Sequence, residues 1–131
     1  IDFNGNTGPF IQYTHARIKS ILRKADDQNI PHSAAALKQD MNLSAKEIRL
    51  IKMLNLYPAK VGEAGAEYSP ALIANYAYDL AKEFNQYYHE TRILQEDNAD
   101  VKSFRLVLIQ VVADVLSKAM GLLGITLPER M

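Results

Sequence analysis

The segment Val101-Lys102-Ser103-Phe104-Arg105-Leu106-Val107-Leu108-Ile109-Gln110-Val111-Val112-Ala113-Asp114-Val115-Leu116-Ser117-Lys118-Ala119 is dense in branched aliphatic residues, and a strand or a helix could claim it. Its length decides, because an ordinary strand stops after about five or six residues. Phe104, Leu108, Val111, Val112, Val115 and Leu116 then form a broad apolar stripe at helical spacing. Such breadth predicts the central, most buried helix of a bundle. Gly121 and Gly124 are expected to end it, and Pro128 to prevent its resumption.

Moving toward the N-terminus, Gln95 to Asp100 reads as a short acidic loop. Before it, Ser69-Pro70 marks a helix start, with a capping residue followed by proline at the first helical position. Ile73, Tyr76, Ala77, Leu80, Phe84 and Tyr87 carry the helical period onward from there. Ser44-Ala45-Lys46-Glu47 is a capping box, opening a helix that presents Ile48, Ile51 and Leu54 and stops or bends at Tyr57-Pro58. Residues 59–66 have room for another helical turn or two, weakened by Gly62 and Gly65. Asp26 to Ser33 is polar, contains Pro31 and reads as a loop. A first helix follows Asn4-Gly5-Asn6-Thr7-Gly8-Pro9, with Thr7 or Gly8 as cap, Pro9 at the first position, and Ile11, Ile18, Leu22 and Ala25 inward. No segment reads convincingly as a strand. The expected fold class is all-α, a helical bundle.

The chain has 131 residues, 48% hydrophobic and 23% charged, which predicts one globular domain over 1–131. Such a domain buries roughly two-thirds of its unfolded surface and needs no metal or disulfide staple. With no cysteine, a disulfide framework, a thiolate metal site and a cysteine nucleophile are all ruled out, and a cytoplasmic setting is favoured. The apolar runs Leu106–Ile109 and Val111–Ala113 are broken by Gln110, well short of the about 18 residues a membrane span requires. Ile1 in place of methionine suggests a piece of a longer chain. Fifteen basic residues balance fifteen acidic ones, which argues against a generic polyelectrolyte binder. The basic excess is local: Arg17, Lys19, Arg23 and Lys24 face only Asp2 within residues 1–25.

No catalytic constellation emerges. His15, His32 and His89 lack metal-ligand spacing and each reads as a surface histidine. Gly5-Asn6-Thr7-Gly8 lacks the lysine-serine ending and the preceding strand of a phosphate loop, so it reads as a helix cap. No carboxylate pair is framed for acid–base work. What remains is aromatic and basic. Tyr13, Arg17, Ser20 and Lys24 follow one another at three- and four-residue steps, with Tyr13 about 140° around the helix from Ile18. A tyrosine and an arginine one turn apart form a surface on which a nucleobase stacks and a phosphate pairs. An exposed tyrosine sheltering the arginine stem explains the same pattern without RNA. Tyr87 and Tyr88 point to different sides of their helix, Tyr87 to the core.

The run Phe3-Asn4-Gly5-Asn6-Thr7-Gly8-Pro9-Phe10-Ile11-Gln12-Tyr13-Thr14-His15-Ala16-Arg17 resembles the F-x-G-N-T-G-P-Y-x-Q-Y-x-x-x-R segment of arginyl-tRNA synthetases. Tyr76-Ala77-Tyr78-Asp79-Leu80-Ala81, with Phe84 and Tyr88, resembles their Y-L-Y-D-L-A helix. Arg105-Leu106-Val107-Leu108, Leu123-Gly124-Ile125 and Glu129-Arg130-Met131 resemble their last helix and E-R-M tail. Three blocks in order cover essentially the whole chain. The resemblance is to the C-terminal, DALR-type anticodon-binding domain, a helical bundle of class I aminoacyl-tRNA synthetases. It also implies that Met131 is the natural end and Ile1 an artificial start.

The resemblance implies recognition of the anticodon stem-loop of arginine tRNA, with no DNA or membrane partner. The parent would be an arginine-tRNA ligase that consumes ATP. Its catalytic domain, with HIGH- and KMSKS-type sequences absent here, would lie elsewhere in the same chain, leaving this piece no catalytic residue, metal or cofactor. By the same resemblance Tyr13, Arg17, Tyr88 and Met131 meet the splayed bases, with Arg92 as a further candidate. Phe10 stands where tyrosine is common and Ala119 where glycine is frequent. The near-neutral charge points to weak binding by this piece alone, with most phosphate contacts elsewhere. The rival readings are a helical protein-interaction domain, which an exposed apolar patch would favour, and a small enzyme, which would need a closed polar pocket.

Overall fold

The computed structural model describes residues 7–34 and 41–131; Ile1, Asp2, the Phe3–Asn6 part of the N-terminal motif and residues 35–40 lie outside it. Within the described residues five helices form, in the order α1 (Thr7–Asp27), α2 (Ala45–Asn55), α3 (Tyr57–Ala66), α4 (Pro70–Glu90) and α5 (Ala99–Leu122). The second helix stops just before Tyr57-Pro58, as expected, and a new helix begins there at once. Proline sits in the first turn of α3, where its missing N–H has no helical partner to lose. Gly62 and Gly65 do not prevent that helix, because α3 packs along α4.

α1 and α4 run parallel. Phe10 meets Tyr78, Thr14 meets Asn85 and Arg17 meets Tyr88 in matching order along the two helices. α5 returns antiparallel to α4 and packs on both. Its buried residues are Ser103, Leu106, Leu108, Ile109, Val112, Ala113, Leu116, Ala119 and Met120. Val111 is exposed instead, and Phe104 and Val115 are only half-buried. In a helix apolar on most sides, composition alone cannot say which stripe faces inward. Asn98 caps α5 by accepting from the Asp100 and Val101 amides, so the helix starts before the expected position. It also runs through Gly121, and α1 likewise persists to Asp27, two residues into the expected loop. Thr7 and Gly8 already lie inside α1 and so do not cap it, and the residues before Thr7 lie outside the described ones.

Three helices end in the same way. After α1 the Asn29 amide bonds to Asp26 O and the Ile30 amide to Ala25 O, with Asn29 at φ 56°. After α5 the Gly124 amide bonds to Gly121 O and the Ile125 amide to Met120 O, with Gly124 at φ 77°. After α3 the Tyr68 amide bonds to Gly65 O and the Ser69 amide to Ala64 O, with Tyr68 at φ 52°. These are Schellman ends, whose left-handed position favours glycine or asparagine.

The capping box at Ser44 forms with both bonds, the Ser44 amide donating to Glu47 Oε1 at 2.8 Å and the Glu47 amide to the Ser44 hydroxyl at 3.2 Å. Glu47 is buried, and its other oxygen accepts from the Tyr87 hydroxyl at 2.7 Å and from Arg105 Nε at 2.9 Å. One carboxylate therefore ties α2 to α4 and α5. Burial alone would push its pKa up, but the Ser44 amide, Tyr87 hydroxyl and Arg105 guanidinium outweigh that and hold it below the ordinary value. Turning Glu47 inward also sets which face of α2 is buried. Leu50 is the buried aliphatic, Ile51 and Leu54 are half-buried, and Ile48, expected inside, faces out. Tyr76 adds a second tie by donating its hydroxyl to Met53 O at 2.7 Å, and burial raises its pKa to about 12.

Candidate nucleic-acid interface

Along α1 the inward residues Ile11, Ile18, Leu22 and Ala25 are all buried. This leaves Tyr13 and Arg17 on the outside, with Tyr13 62% exposed. Tyr88 is half-buried near the end of α4, its inner side against Phe84 with ring centroids 6.1 Å apart. Arg17 crosses from α1 to α4 and lays its guanidinium carbon 4.6 Å from the Tyr88 ring centroid, a cation–π stack. Tyr87 points the other way, into the core, where Glu47 receives its hydroxyl hydrogen bond.

Asn85 holds Arg17 in that position. Its Nδ2 donates to Ala81 O and to the Thr14 hydroxyl, both at 2.8 Å, and Thr14 in turn donates to Phe10 O. With both amide hydrogens used, the carbonyl Oδ1 faces Arg17 Nη1 and accepts from it. Sequence spacing gave no hint of this chain of bonds, because Thr14 and Asn85 are remote in sequence. A polar residue within the small, apolar helix face around Ala77 and Ala81 was the available signal.

The C-terminal segment completes the site. Leu127 is buried, His15 Nδ1 lies 2.7 Å from Pro128 O, and Arg23 Nη1 donates to Glu129 O at 3.1 Å. Because a carbonyl only accepts, His15 carries its proton on Nδ1. His15 is therefore not a surface residue; at 4% exposure it is a buried anchor for the tail. The tail brings Met131, 63% exposed, beside α1. Tyr13, Arg17, Ser20, Arg23, Arg130 and Met131 then line one surface depression of about 360 Å³, without a carboxylate side chain among its lining residues. A second depression of about 340 Å³ holds Tyr88, Lys24 and Arg92, and Arg17 on its tyrosine separates the two. Three of the four candidate residues thus share one hollow, and the fourth adjoins it through Arg17.

A larger groove of about 900 Å³ between α2 and α4 carries Lys46, Arg49, Lys52 and Lys82. There Glu83 pairs with Arg49 and lies 3.6 Å from Lys46, and Asp79 lines the same groove, so its cations stand among carboxylates. His32, half-buried, spans from Asp26 Oδ1 at 2.6 Å to Gln110 Oε1 at 3.1 Å. Among the described residues no group of three or more histidine and acidic side chains is placed to hold a metal. Nor is any described helix long and apolar enough to cross a membrane.

A guanidinium stacked over a half-buried tyrosine, an exposed tyrosine and a rim of arginines have the chemistry to receive an unpaired base and its phosphate. Residues 11–131 match the DALR anticodon binding domain, and the chain belongs to that family. It is 55% identical over 131 residues to the arginine–tRNA ligase of Phocaeicola vulgatus and 56% identical to that of Parabacteroides distasonis. All of this chain is covered in both matches, and it spans 22% of the relatives' length. The Thermus thermophilus arginyl-tRNA synthetase structure superposes with a TM-score of 0.80 at 33% identity, over 99% of this chain and 22% of that one.

Proposed function

We propose that residues 1–131 are one anticodon-recognition domain for arginine tRNA, and that Tyr13, Arg17, Tyr88 and Met131 meet the bases of the loop. The observation that carries this reading is Arg17 stacked over Tyr88, beside a hollow rimmed by Tyr13 and Met131 with no acidic side chain in its lining. A loop base splayed from its neighbours offers a face to the exposed tyrosine or the guanidinium plane, each such stack being worth about 1–3 kcal/mol. Arg23 and Arg130 supply cations for the adjoining phosphates. On this reading the rest of the polypeptide is a cytoplasmic arginine-tRNA ligase that binds ATP and performs the chemistry, while this piece selects the substrate.

The test is fluorescence anisotropy with the arginine tRNA anticodon stem-loop, against a loop with its central base changed, at fixed moderate salt. Preference for the cognate loop is expected, with Tyr13→Ala and Arg17→Ala each weakening binding by about 1–3 kcal/mol and leaving helicity unchanged. Equal affinity of wild type and both variants would refute the proposed surface.

A further inference from the structure

Tyr68 breaks the pattern set by the other two Schellman ends. Asn29 and Gly124 occupy the left-handed position after α1 and α5, as the backbone prefers, whereas α3 places a bulky aromatic there at φ 52°. The ring gives the fold nothing in return, for it is 92% exposed. A strained backbone carrying a side chain that its own domain does not use points outward, to something the side chain meets.

The surroundings of Tyr68 say what kind of partner that is. Val61, Pro70, Ile73, Leu122 and Leu123 join it around a hollow of about 630 Å³, with no charged residue among those lining it. Leu122 is itself 58% exposed. A nucleic acid brings a phosphate with every nucleotide and is met with cations, as in the hollows beside Tyr13 and Tyr88. An uncharged aromatic–aliphatic patch fits protein. Its position narrows the choice. The parallel pairing of α1 with α4 puts the start of α4, and hence Tyr68, at the end of the bundle where the chain enters α1. Relatives of which this chain covers 22% carry most of their polypeptide outside such a domain.

We propose that the Tyr68–Leu122 patch is the seat on which the remainder of the same polypeptide, outside these 131 residues, docks. The Tyr68 ring inserts into an apolar recess of that part, and Leu122 and Leu123 close over it from α5. The contact fixes the base-reading face relative to the rest of the molecule from the opposite side of Tyr68's helix end, without touching RNA.

Photocrosslinking in the full-length protein tests this. Tyr68→p-benzoylphenylalanine and, separately, Leu122→p-benzoylphenylalanine are irradiated with and without arginine tRNA, and the linked peptides are mapped. The expected result is a crosslink from both positions to peptides of the same polypeptide outside residues 1–131, at a yield independent of protein concentration and of tRNA. Crosslinks to RNA, a product of doubled mass that grows with concentration, or no crosslink from either position would each overturn the proposal. The readout is independent of anticodon discrimination, so the proposed function stands or falls separately.

Discussion

Replacing one buried carboxylate should test the polar centre of the bundle directly. Glu47→Gln keeps the size and can keep the bond from the Ser44 amide, but sets an NH₂ against Arg105 Nε, where an oxygen accepted at 2.9 Å. A hydrogen bond to a charged group is worth about 1.5–3 kcal/mol, and breaking a buried ion pair costs about 3–5 kcal/mol. Arg105 retains Arg92 O at 2.8 Å and Glu96 at 3.1 Å, which places the expected loss at the lower end, about 3 kcal/mol. Against a total of about 5–15 kcal/mol for a domain, this is a large fraction. Urea unfolding of the 131-residue chain, followed by far-ultraviolet circular dichroism, should show the midpoint fall by about 1–2 M. The pH dependence supplies a second sign. A carboxyl held below its unfolded pKa stabilises the fold above that value, about 4.3, and loses the contribution as pH falls through the folded one. Glu47→Gln should therefore flatten the acid limb of the stability curve. A loss under about 1 kcal/mol with an unchanged acid limb would refute the assignment of Glu47 as the tie between α2, α4 and α5.

Three further outcomes are expected. Asn85→Ala should weaken RNA binding about three- to tenfold, and should add little in an Arg17→Ala background, because both act through one guanidinium; a double-mutant cycle by anisotropy measures the coupling. His15→Ala should lower affinity by about 1–2 kcal/mol by freeing the tail, and deletion of Met131 should then cost almost nothing more, whereas the two losses would add if His15 did not place Met131. His32 has its pKa raised, chiefly by its hydrogen bond to Asp26, so its contribution is present below the unfolded pKa and lost as pH rises through the folded one. With Asp26 largely exposed the effect is at most about 1 kcal/mol, and a thermal melt series from pH 5 to 8 should show it vanish in His32→Ala.

The helices themselves were legible because their signals are local. Ser44 with Glu47 and Ser69 with Pro70 mark starts that any chain must solve within a few residues, and α2 and α4 begin there, although the Ser69 side chain makes no cap bond and the proline alone marks that start. Tyr13 off the apolar stripe and Tyr87 in the core also follow from periodicity alone. What stayed hidden depends on partners remote in sequence. Ile48 looked inward until Glu47 found Tyr87 and Arg105, and His15 looked like a surface residue until the tail came to lie across it. Tyr68 attracted no notice, since a lone tyrosine after a glycine-rich segment has no pattern; only its backbone angle and bare ring set it apart.

Arg17 resting on Tyr88 has a kinetic consequence for the proposed recognition. One face of that ring is already occupied, so an arriving base exchanges with, or settles upon, a positioned guanidinium instead of filling an empty slot. Little ordering remains to be done when the loop arrives, and encounter should proceed at much the same rate for right and wrong sequences. Discrimination then falls to the lifetime of the complex: a mismatched loop lands as readily as a matched one and leaves sooner.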